Sequence, residues 1–252
     1  MTSASSASSP CHPIYIVGPG SRIFGALDWP LPFVPVSGWI ETLREMPAFV
    51  PGSTIILFAD PPTIDDALAM MTAVIGSAPA DGDAHIVFIS SISALFGQSD
   101  VFPESGVYSR KKQALEQFLG ASLPAGSPCI VRLGNVFECG GWADIVVHCR
   151  VALLPRGFDR CAVSRLASIR TRLVDVVNDR EAGAINLWEE RPVTDFFART
   201  RHVAGLGMLY RNRFGRIAIK VAAKLFRKAG IYLPSPDDIN SFNPRLLRKL
   251  AA

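Results

Sequence analysis

Tyr108 and Lys112 stand four residues apart in the run Tyr108-Ser109-Arg110-Lys111-Lys112. On a helix that spacing puts the phenol and the ammonium on one face. A tyrosine with an ordinary pKa near 10 is a poor base at neutral pH. An ammonium about one turn away favours the phenolate and lowers that pKa, which suits Tyr108 to proton transfer. Tyrosine and lysine at this spacing also occur on solvated helices, so the pair takes its weight from its surroundings. Upstream, the apolar run His85-Ile86-Val87-Phe88-Ile89 ends in Ser90-Ser91 and continues through Ile92-Ser93-Ala94-Leu95-Phe96-Gly97. Downstream comes Cys129-Ile130-Val131-Arg132-Leu133-Gly134-Asn135-Val136-Phe137. The four histidines, 12, 85, 148 and 202, are scattered, and His148-Cys149 lacks a metal-like partner set, so no metal site is expected.

The elements that must position these residues follow from local pattern. Ile14-Tyr15-Ile16-Val17 is a short apolar run ending at Gly18-Pro19-Gly20, which reads as a buried strand entering a tight turn. Phe33-Val34-Pro35-Val36 reads as a second, proline-weakened strand, and Trp39 to Phe49 as a short helix. Thr54 to Ala59 is continuously apolar after its first residue, as strands buried on both faces are. Thr63 caps a helix through Ser77, with Asp65 and Asp66 in its positively polarised first turn. His85–Ser90 and Cys129–Leu133 read as further buried strands, and Tyr108–Ala121 as a helix. From Gly140 onward the pattern loosens into helices and short apolar runs. Strands alternating with helices imply a doubly wound α/β domain with a parallel sheet. Ligands then bind at the carboxyl ends of the strands, so chemistry is expected in the loops after Val17, Ala59, Ser90 and Leu133.

The order apolar strand with Ser-Ser, loop ending in an aromatic-Gly, Tyr-x-x-x-Lys helix, then Arg-x-Gly-Asn-Val-aromatic resembles the extended short-chain dehydrogenase/reductase superfamily. Within it the likeness is to the NAD-dependent epimerase/dehydratase, or nucleotide-sugar, branch. It covers roughly residues 14–195 and is most specific at 86–137. Asp175-Val176-Val177, Gly183-Ala184-Ile185-Asn186-Leu187 and Val193-Thr194 are similar to its C-terminal landmarks. The resemblance implies a Rossmann-like sheet with a small C-terminal substrate lobe, and NAD or NADP lying across the sheet. Tyr108 would be the acid/base and Lys112 would hold the nicotinamide ribose. A serine at the end of the 85–91 strand would orient the reacting oxygen. Counting back from Gly97, the family's slot falls on Ile92, with Ser91 and Ser93 on either side, and Ser91 is the choice. Gly18, Gly20, Arg22, Gly25 and Ala59 would line the cofactor's phosphate side, and Asn135 and Val136 its nicotinamide side. The implied activity is an epimerase, dehydratase or reductase of a nucleotide- or lipid-linked sugar, in polysaccharide or nucleotide-sugar metabolism. A non-catalytic relative, kept for binding or scaffolding, is the rival.

The chain departs from that family in its glycine turn. Gly18-Pro19-Gly20-Ser21-Arg22-Ile23-Phe24-Gly25 has three glycines at altered spacing, with Arg22 at a normally small site. Asp28-Trp29-Pro30 stops the following helix early, and Ser37-Gly38-Trp39 offers no carboxylate for an adenosine ribose. Arg22 either faces a 2′-phosphate, favouring NADP, or is a solvated surface residue. Gly18 to Tyr108 is also shorter than the family usually has, so part of the adenosine half is trimmed. Arginines 150, 156, 160, 165, 170 and 172 cluster in the later half, where the family binds a sugar-nucleotide diphosphate through an arginine. Aligning on Asp175 puts Ser168 in that slot.

Charge divides the chain. Of 252 residues, 1–195 carry 14 basic and 20 acidic side chains, whereas 196–236 carry nine basic and no acidic ones. Expected domains are a disordered Ser/Ala-rich tail at 1–12, a cofactor-binding and catalytic body at 13–195 with substrate-side elements from about 140, and a basic helical segment at 196–252. The five cysteines lack a C-x-x-C pair and read as reduced structural thiols in a cytoplasmic protein. No run approaches about 18 apolar residues, so a spanning helix is not expected. In 211–228, Phe214, Ile217, Ala218, Val221 and Leu225 share a helical face, and Arg216, Lys220, Lys224, Arg227 and Lys228 fill much of the remainder. That helix is either part of the substrate lobe with a solvated outer face or a peripheral contact with anionic lipid. No reader motif supports nucleic acid as a partner, and a homodimer is compatible with the pattern.

Overall fold

A computed structural model describes residues 12–37, 46–79, 83–96, 107–124, 127–140, 144, 148–236 and 238–251. Gly97, the middle of the expected 39–49 helix and most of the N-terminal tail lie outside them. Residues 46–50 are irregular, with Phe49 buried edge-on against Tyr15.

The central sheet has six parallel strands in the order β2-β1-β3-β4-β5-β9. They are β1 (Ile14–Val17), β2 (Val34–Val36), β3 (Thr54–Leu57), β4 (His85–Ser91), β5 (Cys129–Leu133) and β9 (Gly183–Leu187). This is a Rossmann-like, doubly wound α/β sheet. β1 and β3 are buried along their whole length because helices or aromatic loops cover both faces. On one face α2 (Ile64–Ser77) and α3 (Val107–Ser122) bury Met70, Met71, Val74, Leu115 and Leu119. On the other, α4 (Leu166–Asp179) buries Ile169, Leu173, Val176 and Val177 beside the five-residue α1 (Arg22–Ala26). Thr63 caps α2 as expected, its hydroxyl accepting from the Asp66 amide at 3.1 Å. The serine strand does not continue beyond Ser91: Ile92–Phe96 turn into a 3-10 segment.

The chain leaves β1 for β2 on one side, then crosses to β3 on the other. The strand order therefore reverses between β1 and β3, the position where open α/β sheets hold ligands. Gly18 stands at the carboxyl end of one strand and Ala59-Asp60 at that of the other.

Beyond Gly134 lie strands that periodicity did not disclose. β6 (Asn135–Val136), β8 (Arg160–Ser164) and β10 (Glu189–Pro192) form one small sheet; β7 (Val151–Leu154), β11 (Arg199–His202) and β12 (Ile231–Tyr232) form another. Together with α5 (Leu206–Arg211) and α6 (Arg213–Lys228), the second sheet encloses its own core around Leu154, Phe197, Tyr210, Ile219 and Tyr232. This small C-terminal lobe joins β7 to segments some 50 and 80 residues later. The last helix is α7 (Pro244–Ala251), whose Leu247 packs on Ile92 and Phe96.

Candidate active site

The first turn of α3 brings Tyr108, Lys111 and Lys112 over the carboxyl ends of β3 and β4. The helix is held there by Glu116, one turn further on, through four hydrogen bonds. Arg132 on β5 donates to both its carboxylate oxygens, with the shortest contact at 2.7 Å, and Ser90 on β4 donates to it at 2.6 Å. This largely buried, bidentate pair fixes the helix against two strands.

The Lys112 ammonium lies 5.7 Å from the centre of the Tyr108 ring and 5.1 Å from that of Phe88. It also donates to the Ile89 carbonyl at 3.4 Å. The Ser91 hydroxyl lies close enough to the Tyr108 phenol to favour its ionisation, and it accepts from the Ser93 amide at 3.2 Å. Ser91 thus joins the pair, whereas Ile92, in the slot counted back from Gly97, is buried against Phe96, Ala162 and Leu247. Lys112 acts on the phenol in the direction expected, but it does not prevail. Tyr108 keeps 38% of its surface exposed, yet desolvation of the phenol, aided by the Asp60 and Asp238 carboxylates, holds its pKa above the usual value against the opposing pull of Lys112 and Ser91. At neutral pH the residue is a phenol and starts as a proton donor.

Asp60 is the group the sequence did not announce. Its carboxylate lies 3.0 Å from Lys111 and 3.2 Å from Lys112, both of whose side chains are nearly inaccessible. Burial opposes its ionisation, yet the two ammoniums outweigh that and hold its pKa below the ordinary value. Burial likewise disfavours the charge on Lys112, but Tyr108 and Asp60 prevail and hold its pKa up. Lys111 is further tied to the Pro61 carbonyl at 2.7 Å. The only signal for Asp60 was its place, a carboxylate directly after a parallel strand.

At the neighbouring strand end, Gly18 has φ +79°, and a Cβ there would come 2.7 Å from the Ala59 backbone. Its amide donates to the Val36 carbonyl at 2.9 Å, and the Ala59 amide donates to that of Val17 at 3.1 Å. A Cβ on Gly20 or Gly25 would meet open space. Ser21 caps α1 by accepting from Phe24. Where a longer helix would run, Phe24 packs among Trp29, Phe33 and Phe58 instead. Arg22 is exposed, and donates to the Gly140 carbonyl at 3.4 Å. On the β5 side, Gly134 has no room for a Cβ against Ala162, and its amide donates to Ser164 at 2.8 Å. Asn135 spends its side-chain amide on the Ala162 carbonyl at 3.0 Å, and Val136 is half-buried beside it.

Four of the six clustered arginines are held by carboxylates: Arg160 by Glu190, Arg165 by Glu189, Arg170 by Asp28 and Arg172 by Glu181. Arg156 instead lines a cleft of about 620 Å³ in the small lobe, together with Arg211 and Arg245.

No protein-family model and no curated protein matches the chain. Solved structures do match it. An NAD-dependent NDP-hexosamine 5,6-dehydratase involved in tunicamycin biosynthesis superposes with a TM-score of 0.57 at 17% identity, over 90% of this chain and 86% of that one. A nucleoside-diphosphate-sugar epimerase from Staphylococcus aureus gives 0.56 at 11% identity, over 92% and 96%. The Bordetella bronchiseptica enzyme WbmH in complex with NAD+ gives 0.53 at 12%, over 77% and 86%. What this chain shares with these enzymes is the fold.

Proposed function

We propose that the chain is an NAD(P)-dependent epimerase, dehydratase or reductase of a nucleotide- or lipid-linked sugar, of the extended short-chain dehydrogenase/reductase type. The observation that carries this reading is the meeting of Tyr108, Lys112 and Ser91 beside the strand-order reversal of a parallel sheet. A phenol, a fixed ammonium and a hydroxyl are what proton exchange with a carbonyl or carbinol oxygen requires. The residues also fit a dinucleotide: Gly18 permits the turn at the Ala59 backbone, and the space beside Gly20 is open. Gly18, Gly20 and Ala59 would face the phosphates, Lys112 the nicotinamide ribose, and Asn135 and Val136 the ring, with Arg22 and Gly25 at the rim. The body at 13–195 would hold cofactor and catalytic groups, and 196–252 would complete the substrate lobe.

Bound nicotinamide would supply hydride transfer at a sugar carbon. Tyr108, protonated at neutral pH, would give its proton to a sugar carbonyl oxygen or, once ionised, take one from a hydroxyl. Lys112 would stabilise the phenolate so formed, and Ser91 would hold the reacting oxygen by hydrogen bonding. Asp60 would keep Lys112 charged and hold both lysines in place.

A second reading, a binding protein that kept the fold without the chemistry, draws on the five-residue α1 and on Lys112 being engaged by Asp60. Incubation with NAD+ or NADP+ and a panel of nucleotide sugars, with products separated by chromatography, tests the choice. The enzyme reading expects at least one sugar to be converted, and conversion to vanish in Tyr108→Phe. Equal conversion by that variant would remove Tyr108 from the chemistry.

A further inference from the structure

The amphipathic helix α6 packs with the side its sequence did not advertise. Its buried residues are Gly215, Ile219 and Ala223, and a Cβ on Gly215 would come 2.4 Å from the Leu209 carbonyl of α5. This close approach locks α5 and α6 into a hairpin, pinned to the lobe by Tyr210, which donates to the Pro234 carbonyl at 2.8 Å. The strongly apolar stripe is left facing outward. Phe214 is 80% exposed, and Ile217, Val221 and Leu225 are each more than half exposed. Met208, at 72%, and Leu209 extend the ridge onto α5. Single exposed apolar residues are ordinary, but six on one rigid hairpin mark an interaction surface.

Charge indicates what covers it. Arg213, Arg216, Lys220 and Lys224 repeat the spacing of Phe214, Ile217, Val221 and Leu225 one residue earlier, so a cationic stripe runs alongside the apolar one. The segment 196–236 has no carboxylate, and among the described residues Arg213, Lys220, Lys224 and Lys228 make no ion pair. Met208 also lines the cleft whose wall carries Arg156, Arg211 and Arg245. Two copies related by a twofold axis would bring like charges together, which disfavours self-association through this face.

We propose that the α5–α6 hairpin seats the protein on an anionic lipid bilayer, the ridge entering the headgroup–acyl boundary and the cationic stripe meeting lipid phosphates. Among the described residues no helix is long and apolar enough to cross a membrane, so the contact is peripheral. The inference rests on surface chemistry alone and is independent of the proposed reaction.

Flotation of the full chain with phosphatidylcholine vesicles, with or without phosphatidylglycerol, tests it. Ile217, Leu225, Lys220, Lys224 and Lys228 are exposed, so their polar variants keep the fold, which circular dichroism checks. The chain should float with the anionic vesicles and much less with the neutral ones. At about fivefold per cation, Lys220→Gln/Lys224→Gln/Lys228→Gln should weaken partitioning on the order of 100-fold. Ile217→Ser/Leu225→Ser should abolish it. Failure to float with anionic vesicles overturns the proposal, as does floating that neither set of changes weakens. A dimer in sedimentation that the serine variant dissociates, without vesicle binding, would assign the ridge to a second copy instead.

Discussion

Replacing Asp60 with Asn removes one charge and leaves two ammoniums facing each other in a nearly inaccessible site. The Lys111 and Lys112 side chains are 6% and 5% exposed, against 41% for Asp60. Breaking a fully buried pair costs about 3–5 kcal/mol. Water reaches the Asp60 side, and the Pro61 and Ile89 carbonyls remain as partners, so the expected loss is about 1–3 kcal/mol. At roughly 2–4 °C per kcal/mol, Tm should fall by about 2–12 °C at pH 7. Asp60 ionises more readily in the folded chain than at its ordinary pKa of 3.8, so its contribution is complete above that value and lost as pH falls through the lower folded one. The Tm difference between the two proteins should therefore be constant near neutrality and close below about pH 4. The same change removes a carboxylate that raises the Tyr108 pKa, so the phenol should ionise at lower pH in Asp60→Asn. Tyrosinate absorbance reads this once the signal of the matching Tyr108→Phe protein is subtracted, which removes the other three phenols. An unchanged Tm at pH 7 together with an unchanged phenol titration would refute the role given to Asp60.

Other consequences are simpler. Tyr108→Phe should reduce kcat about 10²–10⁴-fold, the usual contribution of a general acid, with cofactor affinity nearly unchanged. Glu116→Gln weakens the ties of Arg132 and Ser90 to α3 and should cost about 2–4 kcal/mol in urea unfolding. A loss below about 0.5 kcal/mol would mean the pair does not anchor the helix. Gly18→Ala forces a Cβ into the Ala59 backbone at positive φ and should cost about 1–3 kcal/mol, with cofactor affinity falling as well.

The half of the fold built from β1, β3, β4, β5, α2 and α3 was legible because two-sided burial writes itself as continuous apolar runs, and Thr63 marks a helix start. β9 was not. Its Gly183-Ala184-Ile185-Asn186-Leu187 is half-buried and mostly small, and only pairing with β5 makes it a strand. The small lobe escaped for a related reason, since β7 acquires its neighbours from β11 and β12, far along the chain. At the site, helical spacing puts Tyr108 and Lys112 on one face, while the choice of Ser91 came from the family resemblance. Asp60 was not, because its partners lie some 50 residues away and Asp60-Pro61-Pro62 reads locally as a turn. In α6 the sequence specified which residues share a face, but the approach of Gly215 to Leu209 decided which face packs.

In the proposed function, the strand-order reversal beside Tyr108 and Lys112 holds a nicotinamide dinucleotide. Fluorescence titration of the purified chain with NADH and NADPH tests it without knowledge of the sugar. Saturable binding of at least one, below roughly 1 mM, is expected, weakened in Lys112→Met and nearly unchanged in Tyr108→Phe. Folded protein that binds neither at roughly millimolar concentration would contradict it.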